Sequence, residues 1–321
     1  MPAVAVAIVT EAGTIAQVVR GIANLTTRAH ATPEHWWDLA SLTKTLVTLP
    51  EVLAIAGDAG GLGVPLGNVW PSARHAPIGQ ATLADLLSHR AGLPAHLPFY
   101  ATATDRDGVV TAALEAPLSQ TEPVYSDLGF LLLGEAVMGA TGTDLGALAA
   151  ARSGLRFGSL DEPSVATERC PWRERLLVGE VHDENASAMG GVAGHAGAFG
   201  RISDVAGAVH GWLTHTVVES DLHQQALRPW ATNAVGEVFG LGWWLNPTRH
   251  IGGPHAGPGS YGASGFVGNR LWFEPVRGYA VVVLSNVIHP VRGSRIPFNT
   301  WCEQLLSMVA ELPLASRLKY R

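Results

Sequence analysis

The chain has 321 residues, 47% hydrophobic and 15% charged, with 37 Gly and 20 Pro; this excludes a disordered chain and describes a loop-rich globular protein of one domain or two merged ones. The 27 acidic and 21 basic residues leave a net charge of −6 without a block of like charge, which gives no electrostatic case for nucleic acid or an anionic membrane surface as a partner. Two cysteines far apart, Cys170 and Cys302, allow one disulfide but form neither a disulfide framework nor a zinc site.

Residues 3–9 and 14–20 are β-branched-rich runs joined through Glu11-Ala12-Gly13, a strand–turn–strand pattern. The apolar start is too short to span a bilayer and lacks the basic flank of a signal peptide. As written the chain reads as cytoplasmic, with no membrane segment; a protein trimmed of an export signal would read the same and be periplasmic or secreted. After Trp36-Trp37-Asp38 comes an apolar helical run over 42–56, ended by the glycines between 57 and 63. The spacing predicts further helices over 82–88 and 127–140, with an irregular glycine-rich stretch at 152–200. Helices follow at 203–214 and 220–227, strands at 237–245, 269–275 and 279–286, and a closing helix at 299–311. Strands at both ends and helices between predict an α/β (α+β) architecture. Residues 1–56 and 203–321 make a sheet domain, and 57–202 a helical, loop-rich insertion.

Ser41-Leu42-Thr43-Lys44 puts a hydroxyl and an amine three residues apart, neighbours on a helix. Serine becomes a nucleophile only when a base takes its proton. Lysine is that base only when desolvation or a nearby cation lowers its pKa, and the flanking Leu39, Ala40, Leu42, Leu46 and Val47 favour desolvation. A serine at a helix start also has backbone N–H groups aimed at a developing oxyanion. The motif alone is weak, since Ser316-Arg317-Leu318-Lys319 repeats it in a polar tail with no apolar setting. Lys44 and Lys319 are the only two lysines among the 21 basic residues. The plainer reading of Ser41 is a helix N-cap with a surface lysine.

Tyr125-Ser126-Asp127 precedes the helix at 127–140, where Ser126 or Asp127 reads simply as its N-cap. In the chemical reading Tyr125 relays the serine proton, and Asp127 binds Lys44 or a substrate amide. Tyr261-Gly262-Ala263-Ser264-Gly265-Phe266 offers small residues on a strand, which allow another backbone to approach; otherwise it is a glycine-rich hairpin. His182-Asp183-Glu184-Asn185-Ala186 and Gly194-His195-Ala196-Gly197 read as a ligand-facing loop. The spacing of His182, Asp183 and His195 matches no zinc pattern, so no metal is assigned.

Together these segments resemble the serine β-lactamase-like and penicillin-binding-protein family, in its class C, D-Ala-D-Ala carboxypeptidase and esterase branch. The cues are Asp38 to Lys44, Tyr125-Ser126-Asp127 in place of Tyr-x-Asn, the helix and turn from Thr82 to Pro94, and Tyr261 to Gly268 in place of the third, Lys/His-Thr-Gly motif. The resemblance implies an antiparallel sheet flanked by helices plus a mainly helical subdomain, and an acyl-enzyme on Ser41 with Lys44 and Tyr125 moving protons. It implies backbone N–H groups of Ser41 and Phe266 as oxyanion donors, and substrate contacts from Asp127, Ala263, Ser264, Gly265, His182, Asp183, Asn185 and His195. It calls for no cofactor. The histidine-rich tract is similar to a subgroup linked to cell-wall peptide recycling, so the expected partner is a small-molecule or peptide substrate, with no oligomeric state implied.

Two departures shape the expected activity. Ala263 stands where the family has a basic residue, with Arg270, Arg292 or His195 as candidates to restore the charge, so penicillins and cephalosporins are expected to be poor substrates. Asp127 replaces an amide; paired with Lys44 it raises the lysine pKa and leaves Tyr125 as the better base. The rival expectations are a catalytically lapsed sensor domain with the same fold, and a promiscuous short-chain esterase.

Overall fold

A computed structural model describes residues 1–246 and 256–312; the Ser316–Lys319 repeat of the Ser-x-x-Lys spacing lies outside them. Strands β1 (Ala3–Thr10), β2 (Gly13–Asn24) and β3 (Ala29–His30) open the chain, and β4 (Trp37–Asp38) leads into Ser41. Four short strands lie in the middle: β5 (Arg156–Phe157), β6 (Arg169–Cys170), β7 (Arg175–Leu176) and β8 (Ala198–Gly200). Six follow: β9 (Ala231–Thr232), β10 (Val238–Phe239), β11 (Trp244–Leu245), β12 (Tyr261–Gly265), β13 (Asn269–Glu274) and β14 (Tyr279–Ser285). The main sheet has nine strands in the order β3-β2-β1-β14-β13-β12-β11-β10-β9, antiparallel at every pairing. The first and last long strands meet directly, Val4 opposite Ser285 through Thr10 opposite Tyr279.

The helices are α1 (Leu49–Ala59), α2 (Leu66–Val69), α3 (Leu83–Leu87), α4 (Arg106–Leu114), α5 (Asp127–Thr141), α6 (Leu145–Ser153), α7 (Glu184–Ala188), α8 (Ile202–Leu213), α9 (Ser220–Ala226) and α10 (Ile296–Ala310). Strand β1 alternates small and branched residues because both its faces are covered. Ala3, Ala5 and Ala7 join the main core, against which α8 packs; Val6 and Ile8 join a second cluster with Phe298, Cys302, Leu306 and Val309 of α10. Helix α5 is apolar almost all round and buried from Leu128 to Gly134, as a helix enclosed by α1, α3 and α4 must be.

The sequence and structure differ in places. Residues 237–245 form a hairpin, not one strand, because Gly240 to Trp243 turn the chain between β10 and β11. Helices α4 and α6 carry no strong apolar period and were not expected. The 152–200 stretch holds short strands that link it to the Ser41 turn: β4, β8 and β5 form a small sheet of their own. The closing helix begins three residues earlier than its pattern suggests, at Ile296. Cys170 and Cys302 are both buried free thiols, so the possible disulfide is not formed. No helix among the described residues is long and apolar enough to cross a membrane.

Candidate active site

The turn before Ser41 is organised by Asp38, whose side chain is buried at the end of β4. Its carboxylate accepts the Ala40 N–H at 2.7 Å and the His182 N–H at 2.7 Å. Burial pushes its carboxyl pKa up, against those two hydrogen bonds. Ala40 has φ +47°, a left-handed conformation that costs an L-residue roughly 1–2 kcal/mol and that the Asp38 bond holds. The Leu42, Thr43 and Lys44 N–H groups each bond a carbonyl three residues back, so Ser41 sits at the head of a helix that continues through a π-helical turn at Lys44–Thr48 into α1.

Lys44 is buried, and its ammonium has three acceptors: Ser41 Oγ at 2.9 Å, Asp127 Oδ1 at 2.7 Å and the His195 carbonyl at 3.0 Å. Burial alone would depress its pKa, but the Asp127 carboxylate and the adjacent Tyr125 outweigh burial and raise it. Asp127 is held well below the usual carboxylate range, because Lys44 and His96 outweigh its own burial. Lys44 is therefore a cation whose N–H bonds are all committed. Its Nζ lies 5.1 Å from the Tyr125 ring centre. That ring is stacked on Trp244 at 4.7 Å and lies against His89 at 4.6 Å. His89 is a packed histidine: its Nδ1 accepts the Ser126 N–H, and burial, then the Lys44 charge, push its pKa down to about 3. Ser126 occupies the N-cap position of α5, but its hydroxyl donates to the Pro94 carbonyl instead of capping.

Strand β12 ends against the Ser41 turn. A Cβ on Gly265 would stand 2.7 Å from the Leu39 carbonyl oxygen, so only glycine allows this approach. Ser41, Tyr125, Asp127, Ser264, Gly265 and Phe266 all line one cavity of about 460 Å³, together with His182 and Asp183. Ala263 is buried in the main core and is not among the lining residues. Nor are Asn185 and His195. Asn185 is buried and holds the 97–100 segment, accepting from Tyr100 N and donating to the Leu97 carbonyl. His195 lies behind the wall, its Nε2 2.9 Å from Asp183 Oδ1. A tract that reads as a ligand loop thus faces substrate space only in part.

Three arginines form one wall of the cavity: Arg270, Arg292 and Arg295. Arg292 is engaged by the buried Glu168 through two 2.6 Å hydrogen bonds. Among the described residues Arg270 and Arg295 have no carboxylate partner. Burial lowers the pKa of both, and Arg295 is lowered further by its two arginine neighbours. Arg295, His96, Glu168 and the structuring role of Asp38 escape sequence reasoning, since each lies in an ordinary polar context. Asp38 alone stood inside a recognised motif.

A family model described as Beta-lactamase matches residues 1–299. The chain is 29% identical over 245 residues to an N-acetylmuramyl-L-alanine amidase of Bacillus subtilis, covering 64% of this chain and 56% of that one. It is 29% identical over 252 residues to a putative D-alanyl-D-alanine carboxypeptidase of Escherichia coli, covering 64% and 57%. The matched region thus spans a little over half the length of these relatives. The crystal structure of a class C beta lactamase from Rhodobacter sphaeroides superposes with a TM-score of 0.73 at 17% identity, covering 96% of this chain and 95% of that one; at that identity the likeness establishes the fold. With a model matched over nearly its whole length, the chain belongs to the beta-lactamase family.

Proposed function

We propose that this protein is a serine hydrolase that cleaves an amide, peptide or ester through an acyl-enzyme on Ser41. The observation that carries the reading is the 2.9 Å contact between Ser41 Oγ and Lys44 Nζ, with Ser41 lining the same cavity as Gly265 and Phe266. Lys44 donates to Ser41 and so cannot also take its proton while Asp127 holds it as an ammonium. Tyr125 relays the proton: its oxygen takes the Ser41 hydrogen while its own phenol hydrogen moves on toward the leaving group, so the ring stays neutral. Ser41 Oγ attacks the carbonyl carbon, and the Ser41 and Phe266 N–H groups stabilise the oxyanion. Tyr125 passes the proton to the leaving group as the carbon–nitrogen or carbon–oxygen bond breaks. Water then attacks the ester, losing a proton to Tyr125, whose own hydrogen returns to Ser41 Oγ as the ester bond breaks and the acid is freed.

The substrate proposed is a cell-wall-derived peptide, in keeping with the names of the two bacterial relatives. Arg270 and Arg295 suit a carboxylate on that substrate, because guanidinium groups without acidic partners in a partly buried wall gain most from an anion. They take over the charge missing at Ala263, from a different direction, which is why turnover of a β-lactam is expected to be slow.

Incubation with a fluorophosphonate followed by intact-protein mass spectrometry tests the reading. A single adduct on wild type and none on Ser41→Ala is expected, together with slow turnover of a chromogenic cephalosporin. A folded wild-type protein that gains no adduct and hydrolyses no p-nitrophenyl ester is a lapsed binding domain, and the proposal fails.

A further inference from the structure

His182 does not follow from the acyl-enzyme scheme, yet it touches both halves of the site. Its ring Nε2 lies 2.9 Å from Glu168 Oε1, a carboxylate with 2% exposure that also receives Arg292 at 2.6 Å. Its ring stacks on Phe266, centres 5.4 Å apart and planes at 23°. Its backbone N–H donates to Asp38 Oδ2 at 2.7 Å, while Asp38 Oδ1 holds the Ala40 N–H next to Ser41. Phe266 is otherwise an exposed aromatic at a strand end, and it is clamped from further directions. The Arg292 and Arg295 guanidinium carbons lie 4.9 and 4.4 Å from its ring centre, and Arg295 donates to its carbonyl at 2.5 Å.

We propose that His182 is a positioning residue that locks the Ser41 turn and the Phe266 strand end to each other, using Asp38 on its backbone side and Glu168 on its ring side. The inference rests on the acyl-enzyme reading above, because it concerns the two N–H groups assigned to the oxyanion. The geometry explains why the residue is a histidine. The ring must stack on Phe266 and, at the same time, present a polar edge to a buried carboxylate; phenylalanine does only the first and glutamine only the second. Its Nε2 is taken by Glu168 while the residue also lines the cavity, so the test separates positioning from substrate contact by the split between maximal rate and half-saturation. Outer groups that orient a reacting group act through distance, and a displacement of about 1 Å at the reacting centre costs on the order of 100-fold in rate.

The test follows Ser41 labelling by a fluorophosphonate, whose tetrahedral adduct uses the oxyanion donors, in wild type, His182→Ala, Phe266→Ala and the double variant. The maximal labelling rate of His182→Ala is expected to fall roughly 10- to 100-fold, with the reagent's half-saturation concentration changed less than about threefold. Phe266→Ala is expected to slow labelling through the same contact, so the double variant falls no further than the slower single one. Glu168→Gln, nearly isosteric and kept as a variant that folds, is expected to give a smaller loss of the same kind. Losses that multiply in the double variant, or a folded His182→Ala that labels at the wild-type rate, overturn the positioning role while leaving Ser41 as nucleophile. Absence of any label on wild-type Ser41 overturns both.

Discussion

At the residue scale the site turns on one buried pair. Lys44 and Asp127 lie 2.7 Å apart with side-chain exposures of 2% and 22%, and each fixes the other's charge state. In Asp127→Asn the hydrogen bond can persist but the compensating charge is gone, so burial dominates and Lys44 falls below its ordinary value. A lysine with a depressed folded pKa destabilises the protein most below that folded pKa; the penalty disappears as pH climbs toward the unfolded value. Wild-type Lys44 is raised, so its contribution is fully present below the ordinary lysine value and is lost only above it. The variant is therefore expected to be about 2–3 kcal/mol less stable at pH 7, with the gap narrowing by pH 10. Urea unfolding at the two pH values measures this, and a gap that widens with pH contradicts it. The pairing itself was legible in the sequence, because a carboxylate standing at an amide position opposite a solitary internal lysine has an obvious partner. Its third acceptor, the His195 carbonyl, was not: backbone acceptors leave no mark on composition.

At the element scale, what was legible follows from how strongly each segment repeats. Strands β1 and β14 and helix α5 carry long apolar patterns and lie where those patterns put them. Helix α6 is alanine-rich and α4 is mixed, so neither shows a clear apolar stripe. The glycine-rich tract near His195 illustrates a subtler miss. Its glycines read as ligand-facing flexibility, whereas Gly194 packs backbone to backbone on α5. A Cβ there would lie 2.1 Å from the Phe130 carbonyl oxygen and 2.8 Å from Gly134 Cα. The Gly194 carbonyl also accepts the Thr48 hydroxyl at 2.6 Å. This contact places the next residue's carbonyl on Lys44. Gly194→Ala is expected to cost about 3 kcal/mol or more by overpacking and to slow Ser41 labelling even in protein that remains folded. Thermal unfolding and labelling rates check the two halves, and unchanged labelling in a destabilised protein would separate the packing from the site.

At the scale of the whole molecule the sheet closes through residues nearly the full chain apart, β1 against β14. The continuous apolar runs of the two strands predict that each is a core strand, but they do not say that the two pair. One buried side chain just past β14 helps join them to the middle of the chain, beside the backbone bond from Ala166 to Ala23. Asn286 Oδ1 accepts the Ala3 N–H at 2.8 Å, and its Nδ2 donates to the Ala166 carbonyl at 3.1 Å and the Ala23 carbonyl at 3.4 Å. An amide supplies one acceptor and two donor hydrogens, and here the first strand, the second strand and the segment before β6 draw on all three. Removing it leaves the Ala3 N–H and the Ala166 carbonyl buried without this partner, each worth about 1–3 kcal/mol when no water replaces it, while the Ala23 carbonyl keeps the Ala166 N–H at 2.9 Å. The 2.8 and 3.1 Å bonds carry most of this, since the third is long. Asn286→Ala is therefore expected to lose about 4 kcal/mol, and Asn286→Asp nearly as much, because a carboxylate keeps the acceptor but cannot donate to either carbonyl and brings a buried charge. Equilibrium urea unfolding of both variants is the measurement. An aspartate variant as stable as wild type would mean that the bond to Ala3 alone carries this side chain's contribution.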